Sequence, residues 1–258
     1  MRESTVSRVA VLNQKGGVGK TTVTLGLVSA AIAKGRSVLV VDLDPQASAS
    51  WALGLDGPTG LVEALKAGTT GAAKDAVVRS PWGVDVIAGG IGMQPWLPEG
   101  GPKTSARALG KALKGADSDH DITFLDCPAG LGPITVNALA AADKAVVVAE
   151  PSAFSNNTMG PVADLIDDVW ANVNQDLDLG GVIVNRQPTV SREAEARYDQ
   201  LGKIVGKRSI WKPAVPQRVI VNEALGARRP IHAYGARAID VTAAFDALYR
   251  KLERQLSA

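Results

Sequence analysis

Residues 14–22 read Gln14-Lys15-Gly16-Gly17-Val18-Gly19-Lys20-Thr21-Thr22, set between the apolar run Arg8-Val-Ala-Val-Leu-Asn13 and a helical stretch from about Thr21 to Lys34. A strand that turns through glycines into a helix is, chemically, a cradle for phosphate. Glycine allows the positive dihedrals and close backbone approach that let several N–H groups converge on one anion. The helix adds the positive end of its dipole. Gly16, Gly17, Val18 and Gly19 supply the cradle, and Lys20 is spaced to reach the β- and γ-phosphates. The Thr21 hydroxyl is a ligand for Mg²⁺, with Thr22 beside it. A strict phosphate loop has glycine six residues before the lysine, where this chain has Gln14. A second lysine, Lys15, stands inside the loop. Read from the residues, it is an additional cation for phosphate, in its own subunit or elsewhere.

Outward from the loop, short β-branched runs alternate with helical stretches, the pattern of parallel strands joined by crossover helices. Strands are expected at 8–13, 37–42, 84–88, 122–126, 145–150 and 181–185. Helices are expected at 104–114, 133–141, 157–171, 191–205 and 236–256. Ser37-Val-Leu-Val-Val-Asp42 is apolar on both faces, as in a sheet covered on both sides. The Gly/Pro-rich stretch from Gly89 to Pro102 reads as a surface excursion. The expected fold is α/β: a single domain over 1–258, a phosphate-loop nucleotide-binding fold with a mostly parallel twisted sheet flanked by helices on both faces.

At 258 residues, 46% hydrophobic and 21% charged, the chain can bury a sizeable core, which excludes a disordered or disulfide-scaffold protein. Its single cysteine, Cys127, cannot close an intrachain disulfide, and even a dimer would bring half the four thiolates of an iron–sulfur cluster. Cys127 therefore reads as small buried filler. No apolar run has signal-peptide or membrane-spanning length, so a cytoplasmic protein without a membrane role is expected. The net charge of +2 divides unevenly: residues 186–258 hold 14 basic and 7 acidic residues, leaving −5 for residues 1–185. A basic final third suits either a solvated surface or a polyanionic partner.

A phosphate site with Mg²⁺ needs oxygen ligands at nearby strand ends. Asp42 and Asp44 close one strand in Val-Val-Asp-Leu-Asp-Pro-Gln, and Asp126 closes another in Ile-Thr-Phe-Leu-Asp-Cys-Pro-Ala-Gly-Leu-Gly. Asparagine follows a further strand at Asn185, at the sheet edge where a base lies in open α/β folds.

With these residues in order, the chain resembles the ParA/MinD-type ATPases, closest to the small Soj-like partition proteins. Asn13-Gln-Lys-Gly-Gly-Val-Gly-Lys-Thr-Thr22 resembles their deviant Walker A motif, Asp42-Leu-Asp-Pro-Gln46 their switch I and Asp126-Cys-Pro-Ala-Gly-Leu-Gly132 their switch II. The resemblance implies a Mg²⁺-dependent ATP hydrolase that forms a homodimer on ATP. In it Lys15 reaches across to the partner's nucleotide, much as an arginine finger does. It further implies that Asp44 positions the attacking water and that Asp126 holds Mg²⁺ through a coordinated water. Asp42 is then a carboxylate that is structural or supports the Mg²⁺ ligands from behind, and Gly130 and Gly132 let switch II move. Asn185 and Pro216 flank the adenine.

The function implied is DNA segregation, of plasmid or chromosome. The ATP dimer binds double-stranded DNA without sequence preference at the nucleoid, and a ParB-type centromere-binding protein or an equivalent adaptor triggers hydrolysis and release. Arg192, Arg218, Arg228, Arg229, Arg250, Lys251 and Arg254 are the DNA-contact candidates. Where relatives often read Pro-Arg-Asn-Val-Arg-Leu-Ser-Glu-Ala, this chain has Pro216-Gln-Arg-Val-Ile-Val-Asn-Glu-Ala224, so the usual two arginines fall on Gln217 and Ile220. An N-terminal helix-turn-helix domain is not expected. Positioning of another cargo, such as a microcompartment, chemoreceptor cluster or division-site regulator, is the alternative. Small-molecule ligases are disfavoured by Lys15, and iron–sulfur carriers by the lack of cysteine pairs. The stripe Phe245, Leu248, Tyr249, Leu252 and Leu256 is expected to pack on the core and not on a bilayer.

Overall fold

A computed structural model describes residues 6–96, 106–151, 159–188 and 192–257, with the backbone alone described at 96 and 192–195. The expected strands form because their residues are β-branched and buried on both faces. They are β1 (Ser7–Leu12), β2 (Val38–Asp42), β4 (Asp85–Ala88), β5 (Ile122–Asp126), β6 (Lys144–Ala149) and β7 (Asp178–Val184). A two-residue strand, β3 (Val78–Arg79), joins β4 antiparallel at the edge and is too short to carry a sequence signal. The seven strands lie in the order β3-β4-β2-β5-β1-β6-β7, and all but β3 are parallel.

Side chains alternate along each strand between two cores. Val9, Val11, Val40 and Phe124 face a layer built on α1 (Lys20–Ala33) and α9 (Ile239–Leu256). Ala10, Leu12, Val41 and Leu125 face α4 (Ala108–Leu113), α5 (Pro133–Ala141) and α6 (Met159–Asn172). The helix α7 (Arg192–Val205) packs beside α6. Three short helices were not legible: α2 (Ser48–Ala52), α3 (Leu61–Ala67) and α8 (Val219–Gly226). None has a side-chain cap, and α8 begins on β-branched residues, so tertiary packing overrides local propensity there.

The stripe on α9 is core. Phe245, Leu248, Tyr249 and Leu252 are buried, and α9 lies against α1. Gly26 permits this approach, because a Cβ there would sit 2.2 Å from the Phe245 ring. Of the Gly/Pro-rich stretch, Gly90–Trp96 forms a 3-10 turn, and its Met93 is fully buried, so it is anchored to the core and not purely superficial. Residues 97–102 of that stretch lie outside the described residues. No described helix is long and apolar enough to cross a membrane.

The strand order decides where a ligand sits. From β1 the chain crosses to β2 on one side, and later strands fill β5 on that side and β6 on the other. The loop after β1 thus opens at the topological switch point, the crevice used by open parallel sheets. The register Asp42↔Asp126 brings two carboxylates side by side at its floor.

Candidate active site

The loop takes the shape its glycines allow. Gly17 and Gly19 have φ of 80° and 88°, in the left-handed region. A Cβ on Gly19 would fall 2.1 Å from Asn185 Nδ2, so this position admits no side chain on two counts. Asn185 Nδ2 donates to the Val18 carbonyl at 2.9 Å, fastening the loop to the end of β7. Lys20 opens α1, is nearly buried, and its Nζ donates to the Lys15 carbonyl at 3.2 Å. Burial pulls its ammonium below the ordinary lysine range, opposed by the nearby carboxylates of Asp126 and Asp44.

Both Asp126 oxygens are engaged: Thr21 Oγ1 donates to one at 2.7 Å and Thr24 Oγ1 to the other at 2.7 Å. Thr24 carried no signal in the motif; it is found only because α1 lies over β5. Complete burial first, and Asp42 second, push the Asp126 carboxyl up to about 7. Asp42 is raised as well, by burial, although Ser50 N and Oγ donate to its Oδ2 at 2.7 Å each. Its Oδ1 accepts the Asp44 N–H at 3.1 Å. Asp42 therefore holds the turn and the start of α2, the structural part expected of it.

A pH dependence follows for the free protein. Between the ordinary carboxylate range near 4 and about 7, folded Asp126 keeps a proton that the unfolded chain has released. Its contribution is fully present below that window and is lost as pH rises through it. Asp126→Asn is expected to raise unfolding free energy by about 1–3 kcal/mol at pH 8 and by less than half as much at pH 5, which lies inside the window. Urea titration at the two pH values checks this; an Asn variant less stable at both would show that the charge is compensated.

Lys20, Thr21, Asp44, Trp51, Arg186 and Leu225 are among the residues lining a cavity of about 780 Å³ above the loop. Asp44 Oδ1 accepts the Gln46 N–H at 2.8 Å, and among the described residues Oδ2 has no hydrogen bond. Switch II touches the loop directly, since Gly130 N donates to the Gln14 carbonyl at 2.9 Å. Gly130 has φ of 101° and needs glycine, whereas Gly132, at φ −74°, takes a conformation open to any residue. Cys127 is buried and its thiol pushed up by that burial, as filler should be. A second cavity of about 160 Å³ adjoins Thr22 and is lined by Asn185, Pro216 and Asn222, bringing together the two residues expected to flank a base.

Lys15 is not among the residues lining the larger cavity. Its Nζ meets Glu150 Oε1 at 2.7 Å, at the end of β6. Glu150 and Arg186, whose Nη1 donates to the Gly17 carbonyl at 2.6 Å, are site residues that no motif pointed to.

The basic candidates do not form one cluster. Arg218 pairs with Asp240 at 2.6 Å, beside the smaller cavity. Arg228 stacks on Trp51 at 4.7 Å and pairs with Asp56, while Arg229 stands over Tyr234. Lys251 lies over Trp211, and Arg250 and Arg254 share its helix. Asp240 and Arg254 are separated by about 21 Å of helix. The Glu253 contacts with Lys34 and Arg36 place this end of α9 at the amino edge of the sheet, away from the loop. The Arg192 side chain lies outside the described residues.

Among the described residues no three His, Cys, Asp or Glu side chains form a metal cage. A threonine hydroxyl hydrogen-bonded to a carboxylate is nonetheless a hard oxygen set of the kind Mg²⁺ takes when phosphates and water complete its shell.

A family profile described as an AAA domain matches residues 6–179. The chain is 32% identical over 229 residues to the chromosome-partitioning ATPase Soj of Thermus thermophilus, covering 87% of this chain and 86% of that protein. It is 31% identical over 258 residues to the chromosome partitioning protein ParA of Caulobacter vibrioides, covering 96% and 92%. Cobyrinic acid a,c-diamide synthase of Mycobacterium smegmatis, solved with bound ADP and magnesium, has a TM-score of 0.82 at 26% identity over 98% of this chain and 96% of that one. With the loop and both carboxylate strands inside the matched region, the chain belongs to the ParA/MinD superfamily of P-loop ATPases, on its Soj-like side.

Proposed function

We propose that this chain, acting as one ATPase unit over its whole length, is a Mg²⁺-dependent partition ATPase. It dimerises on ATP, binds duplex DNA without sequence preference, and is released when an adaptor of ParB type stimulates hydrolysis. One observation carries the reading most: Lys20, Thr21 and Asp44 line one cavity at the sheet's switch point, and buried Asp126 lies directly behind Thr21, hydrogen-bonded to its hydroxyl. The loop N–H groups and Lys20 bind the phosphates, and Thr21 with Asp126 would hold Mg²⁺, which supplies charge neutralisation at the transferred phosphoryl group. Asp44 orients water, and Lys15 acts on the nucleotide of a second copy. Arg218, Arg228 and Arg229, near the site, suit a DNA surface that depends on nucleotide better than the distant Arg250, Lys251 and Arg254. The dimer would be found on the nucleoid. Positioning of a different cargo by the same cycle is the alternative.

The test is capture on random-sequence duplex DNA with ATP, ADP or no nucleotide across a salt series. Binding is expected with ATP alone and should weaken by about one to two orders of magnitude between about 50 and 200 mM salt. Binding that ignores nucleotide or salt would remove the proposed cycle. Turnover accelerated by a small carboxylic acid, and indifferent to DNA and adaptor, would favour an amide-forming enzyme like the structurally similar synthase.

A further inference from the structure

We propose that Glu150 is a counter-ion that holds Lys15 in its own subunit and thereby sets the threshold for ATP-dependent dimerisation. The inference rests on the reading that Lys15 acts across the dimer. Sheet order makes the contact possible: β1 and β6 are parallel neighbours, with Leu12 opposite Val147. Asn13 extends the pairing, its Nδ2 donating to the Val148 carbonyl at 2.6 Å. The loop after β1 therefore leaves the sheet beside the end of β6, where Glu150 stands. Asn13 Oδ1 accepts the Lys15 N–H at 2.9 Å, which fixes the base of the lysine before its side chain turns toward β6.

The carboxylate faces two cations of the loop region. Oε1 meets Lys15 Nζ at 2.7 Å and Oε2 lies 3.8 Å from Arg186 Nη1, itself bonded to the Gly17 carbonyl. Lys15 and Glu150 side chains retain 29% and 20% of their exposure, so water screens this pair less than a fully exposed one. An ammonium bonded to this carboxylate cannot serve a phosphate in another subunit at the same moment. Engagement in trans must first break the pair, and the triphosphate of a second copy is the group whose charge can compete for it. Glu150 is thus a positioning residue: it keeps the catalytic cation withdrawn until a nucleotide-loaded partner arrives.

Sedimentation velocity with Mg²⁺ and a nonhydrolysable ATP analogue, over a protein dilution series, tests this. Glu150→Gln keeps size and hydrogen-bonding capacity and removes the charge. It is expected to lower the midpoint concentration for dimerisation by about three- to tenfold, the range of a partly screened ion pair. Glu150→Ala should move it the same way. Lys15→Gln should raise the midpoint, and adding Glu150→Gln to it should bring no gain. A midpoint unchanged or raised in both Glu150 variants overturns the latch. So does a double variant that dimerises more readily than Lys15→Gln alone, since the gain would then come from general charge repulsion. A wild-type dimer indifferent to Glu150→Gln overturns the latch alone. Wild type and Glu150→Gln both monomeric throughout overturns the dimer reading with it.

Discussion

Lys20→Ala is expected to lower ATP affinity by about two orders of magnitude, from the loss of charge-assisted hydrogen bonds each worth about 1.5–3 kcal/mol. The size follows from the environment of the side chain. Lys20 is nearly buried, and its ammonium is tethered to the Lys15 carbonyl at the mouth of the loop, so it is preorganised for an anion. Burial already works against its charge, which means that the protein alone does not satisfy it. An added phosphate does. The free enzyme should lose little stability, because the truncation also removes a charge that is costly to bury. Calorimetric titration with Mg-ATP at fixed salt reads the effect; affinity within threefold of wild type would remove the phosphate-loop assignment.

Asp44→Ala is expected to reduce turnover by about 10²–10³-fold while nucleotide binding persists; under the proposed cycle the ATP-bound dimer then accumulates on DNA. Asp44 is presented to the cavity by a turn it does not hold alone. Its N–H is bonded to buried Asp42, and its carbonyl accepts the Ala47 N–H at 2.9 Å. Alanine loses the bond to Gln46, worth about 1 kcal/mol, and leaves that frame in place. Asp44→Asn separates the parts, keeping the acceptor for Gln46 and removing the charge proposed to orient water. Single-turnover hydrolysis checks both variants; an alanine variant that turns over normally would assign the water to another residue.

Most of the fold was legible because its signals are local. Val9-Ala-Val-Leu12 and Val38-Leu-Val-Val41 are too apolar and too branched for any place but a covered parallel sheet. Gly17 and Gly19 declare positive dihedrals whatever surrounds them. α2, α3 and α8 escaped for the converse reason: they are short, have no side-chain caps and form because neighbours cover one face. The C-terminal stripe is legible because Phe245, Leu248, Tyr249 and Leu252 recur at helical spacing on an otherwise polar helix.

By itself, then, the amino-acid order determined the strand–loop–helix cradle, the acidic strand ends and the alternation that builds the sheet, since each depends on dihedral limits and periodicity within a few residues. Tertiary structure alone decided that Asn185 closes on Gly19, that Thr24 shares Asp126 with Thr21, that Lys15 is held by Glu150, and that the basic residues of the last third divide between two edges of the sheet. Those contacts join residues scores of positions apart. Strand order brings them together, and strand order is settled by how the whole core packs.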